Sequence, residues 1–202
     1  MVDNLTGFVP EFVQGLWLNL QMALWSLVMG LILGSPLAWA RSGSTLVRTT
    51  GSVLTALLRA APTFVLIFFF LNVLGSWTIG PWTFVITPRD AVVMALGFYA
   101  TAYVSDNLLA TLQQRAGGQV QAWPLFWTAV IRAFFVMVLS TGFASAVGVQ
   151  ESVAVTMRTI ERLPGLGDKL LLVACVMAFF TVVFQSIYAL VQRVRDTLAP
   201  QA

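Results

Sequence analysis

Leu170–Val191 reads LLLVACVMAFFTVVFQSIYALV. No charged residue interrupts it, and Arg193 and Arg195 follow directly. A helix rises about 1.5 Å per residue, so a stretch of this length covers roughly 30 Å, the hydrocarbon thickness of a bilayer. The segment therefore predicts a transmembrane helix. Cys175, the only cysteine, lies inside it and has no partner for an internal disulfide.

The same pattern recurs towards the N-terminus. Apolar runs at about 16–40, 56–77, 91–112 and 123–147 predict four more spans. The chain of 202 residues is 58% hydrophobic and 9% charged, with a mean hydropathy of +0.86. Soluble domains carry about 25% charged residues. The expected fold class is all-α: one polytopic membrane domain over 1–202, with about five transmembrane helices. The first forty residues hold Asp3 and Glu11 but no Lys or Arg, the reverse of a cleavable signal peptide.

Between the runs lie connecting segments. Arg41 to Gly51 is rich in Ser, Thr, Gly and Arg, and leads through an amphipathic Ser52–Arg59 to an apolar run with Pro62 in its first turn. Gly75–Asp90, with Trp77, Gly80, Pro81, Trp82 and Pro88, predicts a turn-rich loop at a membrane–water interface. Gln113–Ala122 is a short loop, and Gly148–Lys169 a polar connection. Lys and Arg concentrate on cytoplasmic sides. Placing Arg41, Arg48, Arg59, Arg115, Arg193 and Arg195 inside puts most acids, including Asp3 and Asp90, outside, so an N-out, C-in orientation is expected. The net charge of +3 comes from scattered residues, without the patch or aromatic platform of a nucleic-acid binder.

Gly30 and Gly34 have the spacing of a close helix contact, and Ser140, Ala144 and Gly148 line up at i, i+4 as a second packing face or a pore-lining one. Two charges fall within spans, Asp106 and Arg132. A charge there costs at least ~2.5–3.5 kcal/mol and calls for a partner. Both fall roughly 10–14 Å from the inner ends of adjacent helices, so an Asp106–Arg132 ion pair is expected. Its first reading is a fastener between helices. The alternatives are a place on a substrate path, or an Arg132 that snorkels alone to the surface. Tyr103 and Asn107 flank Asp106 at helical spacing. With Ser140 and Thr141 they are the candidate substrate-path residues. With no histidine, no CxxC, no phosphate-binding loop and no paired carboxylates, the sequence offers no catalytic set and no metal set.

Several stretches carry a family resemblance. GLWLNLQMALWSLVMGLILGSPLAWAR, RAAPTFVLIFFF from Arg59, ALGFYATAYVSDNLLATL with Tyr103 and Asp106, the pair Gly118–Gln119, and AVGVQESV with Gly148 and Glu151 are in the sequence. Together they resemble the transmembrane permease subunit of bacterial ABC importers, in the polar amino-acid uptake branch. The resemblance implies a type I importer permease fold and a multi-pass place in the bacterial inner membrane. It implies as partners a second permease chain, a cytoplasmic ABC ATPase, an extracytoplasmic solute-binding protein, membrane lipid and a small polar solute. No cofactor would sit on this chain, and ATP would act through the ATPase subunit.

The chain also departs from that pattern. In the family the Gly-Gln pair introduces a cytoplasmic coupling helix with Glu-Ala-Ala and a Leu-Pro ending. Here GQVQAW runs straight into the next span, and Gln121 stands where the family has Glu. Gly118, Gln119 and Gln121 are a residual coupling loop, shorter by roughly fifteen to twenty residues. Leu109 replaces the family's Arg three positions after the acidic residue. The resemblance therefore implies the weakly coupled half of a permease heterodimer. The alternative is a permease-like scaffold or regulatory subunit without ATPase coupling, and an intramembrane enzyme ranks well below both.

Overall fold

The computed structural model describes residues 7–198, with side chains as far as Arg193. Asp3 and the side chain of Arg195 lie outside the described residues. In chain order the elements are α1 (Phe8–Ser42), α2 (Thr45–Ala60), α3 (Thr63–Asn72), β1 (Ser76–Ile79), β2 (Trp82–Val85), α4 (Pro88–Ala116), α5 (Ala122–Ser140), a 3-10 helix (Thr141–Val147), α6 (Ser152–Arg162) and α7 (Leu166–Leu198).

The most extensive interface joins α1 to α4. It is close because small residues face each other. A Cβ at Gly30 would lie 2.5 Å from Ala100 Cβ, and one at Gly34 would lie 2.7 Å from the Thr101 carbonyl oxygen. In hydrocarbon, where apolar burial no longer drives association, such backbone-to-backbone approach gives the dispersion contacts that hold helices together. The contacts also reveal direction. Gln21 meets Arg89, the Ser26 hydroxyl donates to the Val93 carbonyl, Gly34 meets Val104 and Arg41 meets Asp106. Positions rise together on both helices, so α1 and α4 run parallel.

Two parallel spans require the chain between them to recross the membrane. That segment is broken. α2 and α3 meet at 89°. The cause is Pro62, whose ring excludes helical backbone at the preceding residue. Ala61 accordingly is extended, at ψ 118°. The continuous helix expected over 56–77 is thus replaced by an amphipathic α2 and a short apolar α3. At about 1.5 Å per residue the 10 residues of α3 cover about 15 Å. They pack Ile67 and Phe70 against Met22 of α1 and Ala91, Val92, Ala95 and Leu96 of α4. With this broken crossing the helices make up to five spans.

The loop expected at Gly75–Asp90 contains a hairpin, in which Trp77 pairs with Phe84 and Ile79 with Trp82 around Gly80 at φ +58°. Thr87 then caps α4, accepting from the Asp90 N–H while the Asp90 carboxylate accepts from the Thr87 N–H, with Pro88 in the first turn.

α5 packs Phe126, Val130, Ala133 and Met137 into a core shared with Ala23, Leu27 and Ala38 of α1 and Ala100, Val104 and Leu108 of α4. From Thr141 the coil tightens to 3-10. The stripe expected from Ser140, Ala144 and Gly148 therefore dissolves: Ala144 is buried, Ser140 is half-buried, and Gly148 is an exposed left-handed cap at φ +87°. The polar connection 148–169 contains α6. The final helix, α7, is the least covered of the spans: only 6% of its most apolar window is buried.

The α1–α4 seam yields a test. Gly30→Leu and Gly34→Leu each place a branched side chain against backbone, and such overpacking costs about 1–3 kcal/mol. Either substitution is expected to lower the unfolding midpoint in detergent. Gly167→Leu, where nothing lies within 4 Å of the new Cβ, is expected to leave it unchanged.

Candidate functional site: two polar nodes along the first helix

Asp106 sits on α4 at the level where α1 ends. Its Oδ1 accepts from Arg41 Nη1 at 2.7 Å, and its Oδ2 is paired with Arg59 Nη2. Arg41 Nη1 also donates to Ser105 Oγ at 2.9 Å. The pair to Arg132 expected from the sequence is not formed. The inward stripe of α5 is Phe126, Val130, Ala133 and Met137; Arg132 falls beside it and is exposed. The reason Asp106 finds Arg41 and Arg59 instead is reach. Both arginines close helices, α1 and α2, and their long side chains extend to the carboxylate from helix ends that share its level. Asp106 thus fastens α1, α2 and α4 at one point.

A second node stands at the other end of α1. Glu151 is fully buried. Its Oε1 accepts from the Ala154 N–H at 2.8 Å, and its Oε2 from the Val153 N–H at 2.8 Å and Asn19 Nδ2 at 2.9 Å. Asn19 Nδ2 also donates to Thr141 Oγ1 at 2.7 Å, and Asn19 Oδ1 accepts from the Ser152 N–H at 3.1 Å. Glu151 is the N-cap of α6, so it meets two N–H groups that the first helical turn leaves unpaired. Gly15, one turn before Asn19, makes room: a Cβ there would lie 2.6 Å from the Glu151 carbonyl carbon. One asparagine therefore joins α1, the 3-10 helix and α6. Burial pushes the Glu151 carboxyl above its usual range, opposed by the N–H groups of Val153 and Ala154, the Asn19 amide and the Ser152 hydroxyl.

From Asn19 to Arg41 is 22 residues (41 minus 19), roughly 33 Å along a helix. That is about the hydrocarbon thickness of a bilayer, so one node lies near each membrane face. The five substrate-path candidates divide between them. Tyr103, Asp106 and Asn107 lie towards the Arg41 end; the Tyr103 hydroxyl donates to the Ala129 carbonyl at 3.3 Å, and Asn107 Nδ2 donates to the Tyr103 carbonyl at 2.9 Å. Thr141 belongs to the Asn19 node, and neighbouring Ser140 donates to the Val136 carbonyl at 2.9 Å. They do not form one site. Gly118, Gln119 and Gln121 are exposed in a link, residues 117–121, that holds no helix. Gly118 takes φ +85°, and the Gln119 N–H donates to the Gln114 carbonyl at 3.0 Å.

The fold that carries these nodes also matches solved structures. The crystal structure of an amino acid ABC transporter with histidines matches with a TM-score of 0.74, covering 94% of this chain and 96% of that one at 19% identity. This chain has the fold of an ABC-transporter permease. A structure of the MetNI methionine ABC transporter in an inward-facing conformation matches at TM-score 0.58 and 18% identity, covering 93% of this chain and 94% of that one. No protein-family model matches, and no curated protein matches significantly. At such identities the likeness rests on the fold. On this permease fold the Asn19–Thr141–Glu151 node went unforeseen in the sequence. The signal for it was an asparagine one turn after Gly15 in a mainly apolar helix.

The nodes respond differently to substitution. Asp106→Ala leaves two guanidiniums without a counter-charge. Breaking a buried ion pair costs about 3–5 kcal/mol, but Asp106 keeps 31% of its side-chain surface and Arg59 keeps 57%. A loss of roughly 1–3 kcal/mol in detergent is therefore expected. Arg132→Ala, at an exposed position, is expected to stay within about 0.5 kcal/mol of the parent.

For Glu151 the sign follows from proton affinity. A carboxyl whose folded pKa is raised binds its proton more tightly in the native state than in the unfolded one. Its contribution is complete below the ordinary carboxylate value of about 4.3 and is lost as pH rises through the raised value. The unfolding midpoint of the parent, measured against Glu151→Gln, is expected to fall across that window. An unchanged difference would remove burial as the governing cause.

Proposed function

We propose that the chain is the transmembrane permease subunit of an ABC importer for an amino acid or similar small polar solute in the bacterial inner membrane, with its N-terminus outside. The observation that carries this reading is the fold match along nearly the whole of both chains to the amino acid ABC transporter. It gains weight because Arg59 and Asp106, two residues on which the sequence resembles the family, meet in one ion pair. In this orientation the Asp106 node lies at the cytoplasmic face and the Glu151 node at the outer one. Solute sites in transporters lie near the bilayer midplane, at interfaces between repeats or bundles. Of the five candidates, Tyr103, whose hydroxyl reaches the Ala129 carbonyl of α5, is the stronger, with Asn107 bonded to its carbonyl and Asp106 one turn nearer the cytoplasmic face. Ser140 and Thr141 would line the outer end of the path.

The link at 117–121 favours a heterodimer. Motion of an ATPase reaches a permease through a packed contact that has two arrangements, and an exposed link without a helix offers little to pack. The second permease chain would carry that contact, with ATP hydrolysis in the separate ATPase and solute delivered by the extracytoplasmic binding protein. The same link also favours a second reading, a permease-like scaffold or regulatory subunit that has lost ATPase coupling.

A gentle-detergent pull-down of the tagged chain from its native membrane, with mass spectrometry, separates the two. The importer reading expects a nucleotide-binding subunit and a second permease, and loss of uptake of one solute on deletion. Capture of another membrane protein with no ATPase, and uptake intact, would establish the scaffold.

A further inference from the structure

From Ala60 to Pro88 the chain carries no charged residue. Its first half is α3, which packs on α4. Its second half is the β1–β2 hairpin, whose strands have each other as their principal contacts. All eight strand residues are exposed. A lone two-stranded hairpin is at best marginally stable in water, so this one needs a medium or a partner that favours it.

The register shows what that is. Residues opposite each other in an antiparallel pair point to the same side, and alternate residues to opposite sides. One side therefore carries Trp77, Ile79, Trp82 and Phe84, with the Trp77 and Phe84 rings stacked at 4.6 Å. The other carries Ser76, Thr78, Thr83 and Val85, with Thr78 and Thr83 Oγ1 atoms 3.4 Å apart. The aromatic side stays open to its surroundings, from 45% at Trp77 to 70% at Trp82. The hairpin is thus a small amphipathic sheet with two tryptophans on its apolar face.

We infer that this hairpin is an interfacial lipid anchor, lying in the bilayer surface with Trp77, Ile79, Trp82 and Phe84 turned into the headgroup–acyl boundary. The occupant is lipid because the face continues a surface that lipid already covers. Phe64, Val65, Phe68, Phe69, Val73 and Leu74 of the crossing segment are exposed on a span, and the chain passes from them into the hairpin without a charge. Tryptophan and tyrosine rings favour that depth because an apolar body and an N–H or O–H can each find its medium. The anchor also compensates for the short α3. Its half-membrane length leaves the hairpin end of the broken crossing without a helix, and the hairpin fixes it at the surface. This inference requires only that the bundle spans a membrane, not that it transports.

Site-directed spin labelling tests it on the purified full chain. In a Cys175→Ser background, single cysteines replace Ile79, Trp82 and Thr83 in turn. The labelled protein is reconstituted in phosphatidylcholine–phosphatidylglycerol vesicles. Collision with dissolved oxygen is compared with collision with a water-soluble nickel chelate. Labels at 79 and 82 are expected to favour oxygen over nickel at a depth of about 5–10 Å below the headgroups, and the label at 83 to favour nickel. Equal nickel access at all three positions would put the hairpin in water and overturn the inference. Labels at 79 and 82 shielded from both reagents would also overturn it, making the face a contact between copies of this chain.

Discussion

The backbone contact between α1 and α4 is the constraint on which the rest of this structure depends. Gly30 and Gly34 bring α1 so close to Ala100, Thr101 and Val104 that a single methyl group would not fit. Because the two helices are parallel, the segment between them has to recross the membrane, and it has to do so beside a seam already filled. The consequence is a divided return: α2 bends away at Pro62, and only the thin α3 rises along α4. A continuous long helix in that place would need a second groove on α4, and α5 already fills the remaining core with Phe126, Val130, Ala133 and Met137.

The same parallel seam sets the electrostatics. A carboxylate within an apolar helix must be neutralised, and the geometry offers it arginines from helix ends at its own level rather than from the neighbouring span. Asp106 takes Arg41 and Arg59, so a single half-buried acid records where three helices meet. At the other end Asn19 does the equivalent with hydrogen bonds, holding the cap of α6 and the 3-10 helix to α1. Between these nodes lies about one membrane thickness of mainly apolar packing, crossed by the Ser26 hydroxyl bond to the Val93 carbonyl.

Much of this was legible in the sequence, for a physical reason. A bilayer accepts only long apolar runs, so α1, α4, α5 and α7 declare themselves by length and composition. What length cannot encode is direction and reach. Asp106 and Arg132 lie on consecutive helices joined by a short loop, which makes them the expected pair; the parallel neighbour α1, distant in sequence, is the true contact. Arg41 and Arg59 were counted as loop charges, although a long side chain at a helix end reaches a turn back into the span. Pro62 marks the start of α3 as expected, but α2 begins at Thr45, inside the expected linker, and only its last turn falls in the expected 56–77 span. The 3-10 turn at Thr141 dissolved a stripe that assumed 3.6 residues per turn throughout. Glu151 lay in a stretch read as a polar connection, and only its position before Val153 and Ala154 turned it into a buried cap.

The hairpin shows the same limit from the other side. Its residues alternate, as a strand's do, but in an uncharged stretch between two apolar helices that alternation is masked by hydrophobicity on both sides of it. Turn residues Gly80 and Pro81 gave the reversal, and the tryptophans gave the interface. Pairing them required knowing that Trp77 lies over Phe84 and Ile79 over Trp82, which follows from the register alone. Once that register is fixed, the apolar side can turn only towards the bilayer or another protein surface, and the uncharged approach from α3 decides for the bilayer. The short α3 and the amphipathic hairpin are then two halves of one solution: a crossing that is too thin to anchor itself by length is held at its hairpin end by the chemistry of the interface.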